Sequence, residues 1–236
     1  MIEFKKGNIF TTECDVIVNT VNCSGVMGAG IAYEFRLRYP EMFEKYKELC
    51  SKKLFDIGKL WIYSLSEKDI FKEKYRRVLN FPTKNFWKFP SKEEYLVKGL
   101  TKFIETYKEK NISSIAFPLL GASKGGITEE VSIKIMKEYL EGLDIKIEIW
   151  HFDPKAEDDI YVYFKEVFNK IPENIIKEES GIRIQYIKRI KEALGNNEIR
   201  TMSGLSNIKG IGEVTLEKSF NYIRNYDHLS DNLKLF

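Results

Sequence analysis

Imidazole is nearly absent from this chain of 236 residues, which holds only two histidines, His151 and His228, far apart in sequence. Histidine-based triads and histidine-rich metal centres are therefore disfavoured. Cysteine is almost as scarce: Cys14, Cys23 and Cys50 are an odd number without CxxC spacing, so neither a disulfide framework nor a zinc site is indicated. No metal and no cofactor is called for. Long apolar runs are missing too, and the opening MIEFKKGNIF lacks the apolar stretch of a secretion signal. The expectation is a cytoplasmic protein without membrane contact.

What is present is a chain 43% hydrophobic with a formal charge of only +3, long enough for one substantial core and a smaller appendage. The charge is unevenly spread. Residues 71–108 hold ten Lys/Arg against four Asp/Glu, interleaved with Phe81, Phe86, Trp87 and Phe89. Cations that follow phosphates and rings that stack on bases suit a single-stranded nucleic acid; the alternative is a solvated face with its aromatics turned into the core.

Residues 15–21, 59–65, 76–82, 113–119 and 145–152 are rich in β-branched and aromatic residues and predict strands. Between them, 29–52, 91–110 and 128–141 predict helices, the second with Leu96, Leu100, Phe103 and Tyr107 on one face and Ser91 with Glu94 as a capping box. Such alternation predicts an α/β layer fold with a mostly parallel sheet over residues 1–154. From 155 to 236 only helical runs follow (160–168, 182–194, 214–224), with the boundary placed between 154 and 175.

Two strands end in glycine-rich turns that precede helices. The first is Asn19-Thr20-Val21-Asn22 followed by CSGVMGAGI; the second is Gly121-Ala122-Ser123-Lys124-Gly125-Gly126-Ile127. Each lets backbone N–H groups approach an anion, and two at one end of a parallel sheet would hold the two phosphates of one ligand. The first loop reads G-x-x-G-x-G and lacks a Lys-Ser/Thr ending, which disfavours the dinucleotide-fold fingerprint and the P-loop. Taken alone, such a glycine cluster is more often a structural turn than a site, and the pair is more informative than either member.

KGNIF, DVIVNTVN, GVMGAGIA and PLLGASKGGI together resemble the macrodomain family, with its three-layer α/β/α fold, and the likeness spans residues 1 to about 152. The resemblance implies an ADP-ribose cleft with Asn8 and Ile9 at the adenine, Asn22 at the distal ribose, Gly28, Ala29, Gly30 and Ile31 at the phosphates, and Asn19 also among the binding residues. The second loop, from Gly121 to Ile127, would cross the diphosphate and distal ribose. Asn8 stands where many members have Asp.

The segment LNFPTKNFWKFPS is similar to the DarG-type antitoxins, which remove ADP-ribose from thymidine in single-stranded DNA modified by an ADP-ribosyltransferase toxin, and more remotely to human terminal ADP-ribose glycohydrolase. It implies binding by Thr83, catalysis by Lys84 and antitoxin or DNA-repair work, with the toxin as partner. The human-type enzyme's loop Asp is replaced here by Gly125. Phe86 and Trp87 either stack on a flipped base or pack in the core. A non-catalytic ADP-ribose reader and a hydrolase of protein-linked ADP-ribose are the competing readings.

In the tail, LSNIKGIGEVTLEKSF resembles a helix-hairpin-helix, whose turn would offer Lys209, Gly210 and Gly212 to DNA. Residues 183–224 carry eight Lys/Arg against four Asp/Glu, but over 155–236 the count is thirteen against thirteen. Packing or partner contact is the alternative.

Overall fold

The computed structural model describes residues 1–67, 74–156 and 158–233, so positions 71–73 of the basic stretch lie outside it. The chain divides into two compact units, Met1–Asp153 and Pro154–Phe236.

The first unit is a six-stranded sheet of β1 (Ile2–Gly7), β2 (Val16–Asn22), β3 (Trp61–Ser64), β4 (Arg77–Lys84), β5 (Ser114–Pro118) and β6 (Lys146–Phe152) in the order β1-β6-β5-β2-β4-β3. All neighbours run parallel except β3, which pairs antiparallel with β4. Alternation along β2 sends side chains to both faces. Ile17 and Val21 join Phe35, Met42 and Tyr46 of helices α1 (Gly30–Arg38) and α2 (Pro40–Ser51). Val16 and Val18 join Leu96, Leu100 and Phe103 of α3 (Glu93–Thr106), with Ile135 and Met136 of α4 (Glu129–Leu140). Helices on both faces of a mostly parallel sheet make a three-layer α/β/α unit.

Three expectations are corrected. The single helix over 29–52 is two, because Tyr39 precedes Pro40 and is kept out of the helical region (φ −132°, ψ 72°), while Pro40 opens α2. The capping box at α3 does not form: Lys92 is the N-cap without a side-chain bond, and the buried Ser91 hydroxyl has no hydrogen-bond partner. An edge strand, β1, precedes the first expected one; no residue of its IEFKKG run is buried and its lysines suit an edge.

The second unit is helical throughout its described residues: α5 (Asp159–Lys170), α6 (Glu173–Ser180), α7 (Ile184–Leu194), α8 (Met202–Ser206) and α9 (Glu213–Leu233). Asp158 caps α5 by accepting from Ile160 and Tyr161 N–H. Phe164, Phe168, Ile187, Ile190, Leu216 and Phe220 are buried. The short α6 and α8 offer too few periodic positions to show in the sequence.

Candidate functional site

β2 and β5 are parallel neighbours, so the glycine loops that follow them leave the same end of the sheet. The first loop is built around one side chain. Asn22 Oδ1 accepts from Ser24 N (2.9 Å), Ser24 Oγ (2.7 Å) and Val26 N (3.3 Å), while Nδ2 donates to the Val26 carbonyl (2.6 Å). Tyr46 of α2 donates its hydroxyl to the Asn22 carbonyl at 2.6 Å, and burial holds that phenol protonated. The loop leads into α1 through Ala29, an N-cap with no side-chain hydrogen bond, and Gly30, at φ +58°. The first turn of α1 therefore offers its N–H groups to something other than a capping side chain.

The second loop is wound by Gly121 (φ +68°), Ser123 (φ +54°) and Gly126 (φ +84°), and closed by Ile127 N–H donating to the Gly121 carbonyl at 3.1 Å. It meets the first loop: a Cβ on Gly30 would lie 4.0 Å from Lys124 Cγ.

A third segment joins both. At its end, β2 slips register so that Val21 faces Pro82 but Asn22 faces Lys84. Cys23 N–H donates to the carbonyls of Lys84 (3.0 Å) and Asn85 (3.2 Å), and Trp87 N–H donates to Ser24 Oγ (3.3 Å). At the far end, Ser91 N–H donates to the Gly125 carbonyl at 2.8 Å. Residues 84–91 thus form a strap from the first loop to the second. At its start, Lys84 Nζ donates to the Lys124 carbonyl, and partial burial pushes this amine below the ordinary lysine value.

Lys84, Gly30, Lys124 and Asn22, distant in sequence, come together. Thr83 is buried beside them, its hydroxyl 3.5 Å from the Val21 carbonyl, so it supports more than it lines. Asn19, expected among the lining residues, lies beneath the site: it is fully buried and donates to Asn80 Oδ1 at 3.0 Å, because its position on β2 places it inside the sheet's own core. Asn8 Oδ1 accepts from Phe10 N–H and starts the short turn Ile9–Thr11, and Ile9 is buried against the α1 side of the sheet. That turn leads from the edge strand β1 towards β2 and lies against β5.

Phe86, Trp87 and Phe89 are 39%, 46% and 64% exposed, so they are not core residues, whereas Phe81 is buried against Gly99. Other nucleophiles near the loops are muted. Burial, reinforced by Asp56 and Cys50, pushes the Cys23 thiol up to about 12. No group of three or more metal-ligating side chains occurs among the described residues. Sequence reading missed Ser24, Tyr46 and the Ser91 contact, since such pairings depend on tertiary approach and leave no local pattern.

In the second unit, Gly210 turns at φ +89° between α8 and α9, and Ile211, buried, donates to the Ile208 carbonyl at 3.0 Å. A Cβ on Gly210 would collide with the Arg189 guanidinium. Lys209 and Gly212 are exposed.

Known proteins share this architecture. The chain is 38% identical over 151 residues to a DNA ADP-ribosyl glycohydrolase of Mycobacterium tuberculosis, covering 64% of this chain and 42% of that protein. It is 30% identical over 156 residues to a DNA ADP-ribosyl transferase–DNA ADP-ribosyl glycohydrolase fusion protein of Thermosipho africanus, covering 61% and 40%. It thus spans about two fifths of the length of these relatives. The solved macrodomain of M. tuberculosis DarG superposes with a TM-score of 0.59 at 36% identity, covering 64% of this chain and 97% of that one. The Macro domain family model matches residues 18–136, from the middle of β2 into α4 and so across both glycine loops and the strap between them, and on that match the chain belongs to the macrodomain family.

Proposed function

We propose that this protein is a DNA ADP-ribosyl glycohydrolase that frees thymidine in single-stranded DNA from ADP-ribose, with Lys84 as its catalytic residue. The observation that carries the reading is the half-buried Lys84 amine, bonded to the Lys124 carbonyl at the junction of two phosphate-ready loops. The likeness to named glycohydrolases supports the substrate. The N–H groups around Gly28, Ala29, Gly30 and Ile31 and the turn from Gly121 to Ile127 take the diphosphate. Asn8 and Ile9 take the adenine end, and Asn22 shapes the wall beside the distal ribose.

In its neutral form the Lys84 amine attacks C1 of the distal ribose. The C1–N bond breaks, thymine leaves with the bonding pair and takes up the proton shed by the attacking nitrogen. Water then displaces the lysine, releasing ADP-ribose and restoring the amine. No loop carboxylate takes part, since Gly125 occupies the place where the human-type enzyme has Asp. Phe86 and Trp87, exposed beside Lys84, receive the extruded base.

The fusion of transferase and glycohydrolase in the Thermosipho relative supports a DNA ADP-ribosyltransferase toxin as the cognate partner, with this protein as its cytoplasmic antidote and a repair activity. The hairpin at Lys209, Gly210 and Gly212 contributes a DNA phosphate contact in the manner of a helix-hairpin-helix.

The test is incubation with thymidine-ADP-ribosylated single-stranded DNA, reading released ADP-ribose. Wild type is expected to release it and Lys84→Ala to fail while binding ADP-ribose by calorimetry. Full turnover by Lys84→Ala removes the lysine from the reaction, and tight binding without release by wild type makes the protein a reader. Activity on glutamate-linked but not thymidine-linked ADP-ribose moves the substrate to protein.

A further inference from the structure

The strap does more than hold Lys84. From 84 to 92 it reads KNFWKFPSK, with three lysines and no acid. Its rings form one exposed cluster: Phe86 lies 6.1 Å from Trp87 and 5.7 Å from Phe89 between ring centroids. Lys88 Nζ sits 5.1 Å from the centre of the Trp87 ring, and Lys92 Nζ 5.6 Å from that of Tyr95, while also pairing with Glu94 at 3.6 Å. The rings are presented by a fixed backbone, with Phe89 N–H donating to the Phe86 carbonyl at 3.1 Å and the strap bonded to a loop at each end. Leaving Phe89 64% exposed on an ordered turn forgoes its hydrophobic stabilisation. Apart from its contact with Phe86, the ring faces solvent, and it follows Phe86 and Trp87 along the strap.

We propose that Phe89, with Lys88 and Lys92, is a docking platform for unpaired nucleotides flanking the modified one, so that the substrate is recognised as a strand and not as a nucleoside. The inference rests on the glycohydrolase reading of the site. Charge complementarity decides the occupant: a ring cluster threaded with cations and lacking carboxylates between 84 and 92 matches bases on a phosphate backbone. An acidic protein surface is the other occupant such cations would accept, and the exposed faces of three clustered aromatic rings favour the strand.

The experiment compares two substrates, ADP-ribosyl-thymidine as a free nucleoside and the same unit within a single-stranded oligonucleotide of about ten nucleotides. Wild type is expected to hydrolyse the oligonucleotide with the lower KM. Phe89→Ala should raise the oligonucleotide KM about tenfold relative to the nucleoside KM, and Lys88→Ala should flatten the salt dependence of the oligonucleotide KM. Equal KM values for both substrates in wild type, or a KM ratio that Phe89→Ala does not change, overturn the platform while leaving the glycohydrolase reading intact. If neither substrate is hydrolysed, that reading fails instead, and fluorescence anisotropy with unmodified single-stranded oligothymidine still decides the platform. Weaker binding by Phe89→Ala supports it. Unaltered binding, with loss of binding to an ADP-ribosyltransferase, assigns the patch to protein. Circular dichroism verifies that each variant folds.

Discussion

Ser91 and Gly125 hold each other in place: Ser91 N–H donates to the Gly125 carbonyl at 2.8 Å, and a Cβ on residue 125 would fall 2.7 Å from Ser91 Oγ. The strap and the second loop are therefore closed against each other at Gly125. Gly125→Asp is expected to destabilise the protein by about 1–3 kcal/mol in urea denaturation, through overpacking, and to add no activity. Gly125→Ala in a Ser91→Ala background should recover most of the loss of Gly125→Ala alone, because the nearest remaining atom, Ser91 Cβ, is 3.4 Å away. Failure of that rescue would locate the strain elsewhere.

Burial lowers the Lys84 pKa, which raises the fraction of neutral amine at a given pH. A nucleophilic role requires that form, so kcat for ADP-ribose release should rise with pH and level off below the ordinary lysine range. A rate that falls as the amine loses its proton would assign Lys84 to stabilising the departing base as an ammonium. Lys84→Arg, which cannot become neutral, should be as inactive as Lys84→Ala.

Tyr46→Phe deletes the donor to the Asn22 carbonyl without changing shape. A buried carbonyl left unpaired costs about 1–3 kcal/mol. Because Asn22 organises the first loop, ADP-ribose affinity by calorimetry should fall along with thermal stability, whereas a remote core change of equal cost should spare affinity.

Glu148 of β6 is buried, and burial alone would raise its pKa. Hydrogen bonds from Lys5 (2.8 Å), Thr12 (2.6 Å), Lys146 (2.9 Å) and Trp150 (3.0 Å) outweigh that and hold it at about 2. A depressed folded-state pKa gives stability that is full above the unfolded carboxyl's value, about 4.3, and lost as pH falls through about 2. Acid unfolding should steepen in that window. Glu148→Gln should lower stability at pH 7 by about 3 kcal/mol and abolish this component of the acid transition.

Much of the layer architecture was legible because apolar runs bounded by turns alternate with helical periodicity, although β2 itself is buried on both faces. Val16 and Val18 face one helix layer and Ile17 and Val21 the other, and Leu96, Leu100 and Phe103 of α3 recur at helical spacing. The glycine loops were legible for a local reason, positive φ at Gly30, Gly121 and Gly126. Where Pro40 interrupts an apolar periodicity the period hid the break, and where β1 forms a sparsely buried edge there was little pattern to read. Asn19 was misplaced because β2 carries asparagines both inside the sheet and at its end, and sequence alone does not tell which belongs to the loop. Ser91 reads as a helix cap by spacing, but its approach to Gly125 takes it away from the helix.

The strap is secured to its loops by main-chain atoms of its own: the carbonyls of Lys84 and Asn85 and the N–H groups of Trp87 and Ser91. Exposed rings on such a mount can be exchanged without disturbing the anchors that set the position of Lys84. On the proposed function, preference for what lies beside the sugar and the power to cut it are thereby separable traits, and a lineage can retarget the one by point substitution at Lys88 or Phe89 while inheriting the other.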